Sequence, residues 1–267
     1  MHFKVLELKN FQYKNTQVSY SESGKGSVLV FLHGFLENKN MWIPYVNYFS
    51  PKYRVISIDL FGHGESENFG YIHTMKDQAD LVYALLSDLR IRKANLIGHS
   101  MGGYVALAFA ELYPDHVKSL TLVNASTRAD SAERKDNRDR AIQVVKKNAK
   151  TFVSMAINNL FTDHARNLFS DRIDVIREEA LRTSVQGIVA SLEGMKVRND
   201  REVLLHFGPY PKLVVTGNQD IIASKAEILD ETKDADVTTH ILDCGHMAPL
   251  EKENELIQIL QSFLKKK

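Results

Sequence analysis

The chain has 267 residues, 44% hydrophobic and 25% charged, which is ordinary for a soluble globular enzyme. Its formal net charge of +1 argues against a nucleic-acid-binding protein, which would carry a strong basic excess. Cys244 is the one cysteine, so neither an intramolecular disulfide nor CxxC zinc spacing is possible. The first residues lack the apolar core of a signal peptide, and no run approaches the roughly 18 apolar residues of a membrane span. We therefore expect a soluble, cytoplasmic protein.

Short apolar runs rich in β-branched residues recur along the chain, each followed by a glycine or a polar cluster. Runs of this kind are typical of strands buried on both faces of a parallel sheet. They cover residues 28–32, 55–58, 94–97, 120–123, 213–216 and 237–242. Before them, segments 3–8 and 17–21 predict an antiparallel hairpin that leads into the first buried strand.

Helical patterns separate these runs. Apolar residues at a 3.6-residue spacing predict amphipathic helices near 81–89 and 256–264, and the nearly all-apolar segment 104–112 predicts a buried helix. Strands that alternate with helices indicate the α/β class, with a mostly parallel central sheet and helices on both faces.

The alternation stops between residues 126 and 206, where no convincing strand occurs. A structureless connection of that length is improbable in a compact domain, and helix-like stretches cover 141–147, 152–160 and 173–181. We therefore predict a core of residues 1–125 and 207–267 with a helical cap inserted at 126–206. The charge-rich start of this insertion is interpreted as a solvated helix face.

One serine stands out because it lies between the strand run 94–97 and the buried helix. In Gly98-His99-Ser100-Met101-Gly102-Gly103, a strand turns abruptly into a helix around Ser100. Such a turn strains the serine backbone and requires glycine two positions to either side, where a side chain would collide. Ser100 is therefore predicted to be a nucleophile exposed at the carboxyl edge of the sheet.

A serine nucleophile needs a base to take its proton. His246 follows the last strand run and precedes Pro249 and the final helix, which places it at the same sheet edge as Ser100. His33, His63 and His99 lie in glycine-containing turns and are interpreted as groups that satisfy the backbone there. The neighbouring Cys244 is interpreted as a small buried side chain.

The base in turn needs a carboxylate to fix its tautomer. Asp220 follows the strand run 213–216 and is the best candidate. Asp59 also follows a strand, and its side chain is expected to brace the loop 62–66. The position after run 120–123 holds Asn124, which cannot serve as a carboxylate.

Acyl transfer also needs hydrogen-bond donors for the developing oxyanion. We assign this role to the backbone N–H groups of Met101, which follows the nucleophile, and of Phe35, in the turn after run 28–32. All five site residues lie just past the carboxyl ends of strands, the edge where open α/β sheets bind ligands.

The sequence resembles the α/β-hydrolase superfamily over nearly its whole length. The resemblance is carried by residues 33–35, 59–66, 98–103, 217–220 and 245–246, by the order serine, acid, histidine, and by the helical insertion after the sixth core strand. It implies the α/β-hydrolase fold. Serine at position 100 disfavours haloalkane dehalogenases and epoxide hydrolases, which use aspartate there.

Two further features bear on the subfamily. Residues 124–130 are similar to the start of the cap in enol-lactonase-like and small-ester hydrolases. Many relatives have a proline soon after the acid, whereas this chain reads Asp220-Ile221-Ile222-Ala223.

These observations predict a serine hydrolase that cleaves a small carboxylic ester or lactone through an acyl-enzyme on Ser100, without a metal or an organic cofactor. C–C bond or thioester hydrolysis by the same residues stays an alternative, as does a ligand-binding receptor with a vestigial triad. Apolar residues of the insertion could line an acyl pocket or form the core of the cap; they are Phe152, Met155, Leu160, Phe161 and Met195.

Overall fold

The computed structural model describes residues 8–265, in which eight strands form one sheet. The strands are β1 (Leu8–Tyr13), β2 (Thr16–Ser23), β3 (Val28–Leu32), β4 (Arg54–Ile58), β5 (Ala94–His99), β6 (Val117–Val123), β7 (Lys212–Gly217) and β8 (Thr238–Leu242). Their order across the sheet is β1-β2-β4-β3-β5-β6-β7-β8. The pairs β1/β2 and β2/β4 are antiparallel, and the pairs from β4 to β8 are parallel. The mostly parallel α/β sheet predicted from the sequence is confirmed.

The α-helices within residues 8–265 are α1 (Ile43–Phe49), α2 (Met75–Asp88), α3 (Met101–Leu112), α4 (Ala132–Asn159), α5 (Asp163–Leu168), α6 (Ser170–Ala180), α7 (Val185–Lys196), α8 (Val203–Phe207), α9 (Lys225–Glu231), α10 (Ala248–Glu251) and α11 (Glu253–Lys265). Two short 3₁₀-helices cover Lys39–Trp42 and Pro114–His116. None of them is long and apolar enough to cross a membrane.

The strands alternate their side chains between two cores because successive residues point to opposite faces. In β3, Leu29 and Phe31 pack with α1 and α11, whereas Val30 and Leu32 pack with α2 and α3. The predicted placement of helices on both faces is therefore confirmed.

The predicted N-terminal antiparallel hairpin is formed by β1 and β2, but the bounds of its first strand differ from the prediction. β1 begins at Leu8, where the predicted strand 3–8 ends, and residues 3–7 lie outside the described part of the chain. A tight turn at Lys14 and Asn15, with Lys14 at φ +51°, connects β1 to β2.

Five helices, α4 to α8, lie between β6 and β7. The predicted helical stretches 141–147 and 152–160 correspond to two helical segments of α4, which are separated at Asn148 by a non-helical backbone (φ −156°, ψ 82°). The Asn148 side chain accepts a hydrogen bond from Thr151 N and so restarts the helix after the interruption.

The charge-rich segment 128–140 is more than a solvated face. Arg128 pairs with Glu202 and Asp230 on neighbouring elements, and Arg134 pairs with Glu227 of α9 at 2.7 Å. The pairs with Asp230 and Glu227 tie the start of the insertion to α9, which follows β7.

Candidate active site

Ser100 occupies a strained turn between β5 and α3. Its backbone has φ +50° and ψ −116°, a conformation that L residues rarely adopt. A Cβ atom at Gly98 would lie 2.3 Å from the Gly102 carbonyl oxygen, and one at Gly102 would lie 2.3 Å from the Leu32 carbonyl oxygen. Both glycines are thus required by close backbone approach, as the sequence predicts. Ser100 is partly exposed between buried neighbours.

His246 lies between Ser100 and Asp220, although it is 146 positions from the serine in sequence. Its Nε2 atom is 2.8 Å from Ser100 Oγ, and its Nδ1 atom is 2.8 Å from Asp220 Oδ2. The ionised carboxylate can only accept, so Nδ1 carries the proton and Nε2 is left to accept from the serine hydroxyl. The ring is buried and its backbone N–H donates to the carbonyl of Leu160, at the end of α4.

The Asp220 carboxylate is buried and fully engaged. Oδ2 accepts from His246 and from Asn124 Nδ2 (2.8 Å), and Oδ1 accepts from the backbone N–H groups of Ile222 (2.8 Å) and Ala223 (3.0 Å). Burial raises the pKa of Asp220, but the charge of His246 and these hydrogen bonds outweigh burial and hold the pKa below its ordinary value. The two bonds to Oδ1 also fix the backbone of the loop after the acid.

The turn that contains Phe35 packs on the Ser100 turn. β3 and β5 are parallel neighbours with Leu32 beside Gly98. Within residues 8–265, neither the Phe35 N–H nor the Met101 N–H donates to a protein acceptor. Met101 opens α3, where backbone N–H groups have no partner in the helix and carry a positive partial charge. Both predicted oxyanion donors therefore lack an acceptor within the described residues.

The remaining polar residues singled out from the sequence have partners of their own. His33 Nε2 accepts from Leu60 N at 2.9 Å, and His63 Nδ1 donates to the Phe61 carbonyl at 3.0 Å. Burial, helped by the charge of His63, lowers the pKa of His33 well below its ordinary value. Asp59 accepts from Lys39 Nζ (2.5 Å) and from Glu65 N (3.0 Å), so it braces the 62–66 loop as expected.

The apolar residues singled out in the insertion differ in burial and contacts. Phe161 and Met195 are buried in the core, and Met155 is 60% exposed. Phe152 faces the Phe35 ring at a centroid distance of 6.5 Å, and Leu160 is partly buried.

A cavity of about 690 Å³ lies between segment 36–44, α6 and residues 247–250. Leu36 and Met247, which follow Phe35 and His246 in the chain, line it, but Ser100 is not one of its lining residues. Among residues 8–265, no group of three or more His, Cys, Asp or Glu side chains could hold a metal ion.

A family model described as alpha/beta hydrolase fold matches residues 27–253. The structure of a thermophilic esterase from Thermogutta terrifontis superposes with a TM-score of 0.90 at 29% identity, covering 97% of this chain and 98% of that one.

Two curated relatives are similar in sequence. The (E)-2-((N-methylformamido)methylene)succinate hydrolase of Acinetobacter baylyi is 27% identical over 98% of this chain and 97% of its own length. The dihydrolipoyllysine-residue acetyltransferase component of the acetoin cleaving system of Pseudomonas putida is 32% identical over 90% of this chain. This alignment spans only 64% of that protein's length.

Proposed function

Because the chain belongs to the alpha/beta hydrolase fold family and is a hydrolase, we propose that it cleaves a small carboxylic ester or lactone through an acyl-enzyme on Ser100. The observation that carries the proposal is the position of His246. Its Nε2 atom lies 2.8 Å from Ser100 Oγ, and its Nδ1 atom lies 2.8 Å from Asp220 Oδ2. The 29% sequence identity to an esterase, over nearly the full length of both chains, supports ester chemistry.

The first half of the reaction transfers the acyl group to the enzyme. Ser100 Oγ attacks the carbonyl carbon while its proton passes to His246 Nε2, and Asp220 stabilises the imidazolium through Nδ1. The N–H groups of Phe35 and Met101 stabilise the negative oxygen that develops. The proton then moves from Nε2 to the leaving alcohol oxygen as the C–O bond breaks.

The second half releases the acid. Water gives a proton to His246 Nε2 and attacks the acyl carbon, and the Ser100 hydroxyl is restored when the acyl bond breaks and the proton returns to Oγ. In a lactone the leaving hydroxyl stays attached to the acyl group, so one ring-opened product is released.

Residues 126–206 are proposed to act as a cap on the core formed by 1–125 and 207–267. Two contacts support this role. Leu160 accepts a hydrogen bond from the backbone of His246 at 3.0 Å, and Phe152 packs against Phe35. Movement of the insertion would therefore displace both the base, His246, and the residue that supplies one oxyanion donor, Phe35.

A fluorophosphonate probe tests the nucleophile. We expect it to label the native chain and to leave Ser100→Ala unlabelled, with loss of p-nitrophenyl ester turnover by about 10⁴-fold or more. Ser57→Ala is a matched control, because Ser57 Oγ is buried in β4 without a partner in the described chain. Labelling or turnover that persists in Ser100→Ala would defeat the proposal.

A substrate panel tests the bond type, since thioester or C–C bond hydrolysis would use the same residues. We expect kcat/KM to be highest for carboxylic esters or lactones of short acyl chains. A clear preference for thioesters or for β-diketone-type C–C substrates would assign the site to the alternative, and ligand binding without labelling would indicate a receptor.

A further inference from the structure

Two buried titratable side chains lie behind the site and take no part in the reaction above. Glu37 is 5% exposed and follows the oxyanion turn, and His99 is fully buried at the end of β5, immediately before Ser100. Their side chains meet, with His99 Nδ1 2.9 Å from Glu37 Oε2. On its other side, His99 Nε2 is 2.9 Å from the backbone carbonyl of His246.

The partners fix where the protons of this pair lie. A carbonyl oxygen can only accept, so Nε2 of His99 donates to His246. The other proton lies between Nδ1 and the Glu37 carboxylate. Burial lowers the pKa of His99, but the charge and hydrogen bond of Glu37 outweigh burial and raise it above the ordinary value. The ring therefore holds a partner at each end.

Glu37 also holds the oxyanion turn. The same Oε2 atom accepts from the backbone N–H of Gly34 at 2.6 Å, and Gly34 directly precedes Phe35. A Cβ atom at Gly34 would lie 2.6 Å from Oε2 and 2.9 Å from His99 Nδ1. The backbone of the turn thus packs directly against the pair, which explains why glycine is required at position 34.

These contacts form a continuous path from Gly34 through Glu37 and His99 to the backbone of His246. We propose that Glu37 and His99 are positioning residues, which together hold the Phe35 N–H and the His246 ring in place around Ser100. The inference rests on the function proposed above. Both ends of the path act in the transition state, so their displacement affects kcat more than substrate binding.

Glu37→Gln tests the pair because an amide cannot replace the carboxylate in both contacts. If the amide oxygen of the new side chain takes the place of Oε2, it can accept from both the Gly34 N–H and His99 Nδ1 only when the His99 ring is protonated at both nitrogens. That charged ring would then be buried without a counter-charge. If the amide nitrogen takes that place instead, two hydrogen-bond donors, the amide NH₂ and the Gly34 N–H, would face each other without an acceptor. We expect kcat for an ester to fall at least 10-fold with KM changed less than twofold, and labelling of Ser100 by a fluorophosphonate to slow equally.

Asn95→Ala is the matched control, because Asn95 is buried on the same strand as His99. Its side chain donates to the Val28 carbonyl and accepts from Ser119 Oγ, both at 2.8 Å. It lies about 13 Å from His99 along β5, at the opposite end of the strand from Ser100. We expect this variant to lose stability in urea but to keep the native kcat.

A double-mutant cycle tests whether Glu37 acts through His99. We expect Glu37→Gln combined with His99→Asn to lower kcat no further than the more damaging single variant, within about twofold. A double variant whose fold-loss in kcat equals the product of the two single losses would show that Glu37 does not act through His99. If Glu37→Gln does not fold, Glu37→Asp tests the same tie, since it keeps the charge but withdraws the oxygen from Gly34, and we expect it to lower kcat.

The two proposals fail in different ways. Native kcat in folded Glu37→Gln or Glu37→Asp, alongside an inactive Ser100→Ala, would overturn the positioning role alone. Turnover by Ser100→Ala would overturn the proposed function itself.

Discussion

Asn124 donates a hydrogen bond from Nδ2 to Oδ2 of Asp220 at 2.8 Å, the same oxygen that faces His246. The amide also reaches the Gly245 carbonyl at 3.2 Å. Asn124 therefore ties the acid to the residue that precedes the base. It stands at φ +50°, a conformation that asparagine and glycine tolerate better than other residues.

Asn124→Gly removes these hydrogen bonds while keeping a residue suited to the positive φ. A hydrogen bond to an ionised group contributes about 1.5–3 kcal/mol, so we expect kcat for an ester to fall by about 10- to 150-fold. Asn124→Ala has the same chemical loss with added backbone strain, and should be less stable in urea than Asn124→Gly. Native kcat in Asn124→Gly would show that the amide does not orient Asp220.

Asp220→Asn tests the acid. An amide can hold the imidazole in the wrong tautomer, and we expect kcat to fall by about 10³–10⁴ at neutral pH. Asp243→Asn is the control, since Asp243 lies close in sequence to His246 but accepts from Asn218 and Gln219. Its kcat should stay within twofold of the native value. Unchanged turnover in Asp220→Asn would move the role to another carboxylate.

The parts of the molecule that the sequence predicted are those with a local signature. The buried strands are short apolar runs, and the Ser100 turn has glycines at fixed spacing, so each could be recognised within a few residues. Asp220 and His246 could be placed because both lie within four residues of the end of a strand, and the ends of parallel strands meet at one edge.

What the sequence did not predict depends on contacts between distant segments. Glu37 and His99 are 62 positions apart, and nothing near either residue indicates that they meet. Asn124 was recognised only as a residue that cannot be the acid, because its role as a donor to Asp220 depends on the pairing of β6 with β7.

Ser100→Gly should stabilise the fold while abolishing turnover. The strained backbone of Ser100 costs about 1–3 kcal/mol, and glycine relieves it at an entropic cost of about 0.5–1 kcal/mol. We expect the free energy of unfolding in urea to rise by about 1 kcal/mol relative to Ser100→Ala, which keeps the Cβ atom. Equal stability of the two variants would mean that the turn is not strained.

Cys244 should be inert in the folded protein. The thiol is fully buried, and burial, with the nearby charges of Glu251 and Asp220, raises its pKa to about 12. A thiol needs its thiolate form to react, so we expect no alkylation by iodoacetamide at neutral pH and no loss of ester turnover. The same protein in concentrated urea is the control and should be alkylated fully. Rapid alkylation of the folded chain with loss of activity would contradict this account.

His73 should make the fold sensitive to acid. It is fully buried, its Nε2 accepts from Phe69 N at 3.1 Å, and burial together with the charge of His63 lowers its pKa to about 4. The pKa in the unfolded chain is about 6.5, so the unfolded state binds the proton first as the pH falls. The stability contribution is therefore complete above about pH 6.5 and is lost progressively toward pH 4.

His73→Gln isolates this contribution, because glutamine can accept from Phe69 N but does not titrate. From about pH 7.5 to about pH 5, the native chain should lose about 2 kcal/mol more unfolding free energy than the variant. Urea denaturation at the two pH values measures this difference. His33 and His63, whose pKa values are also lowered, are present in both proteins and cancel in the comparison. Equal losses of unfolding free energy in the two proteins would show that folding does not lower the pKa of His73.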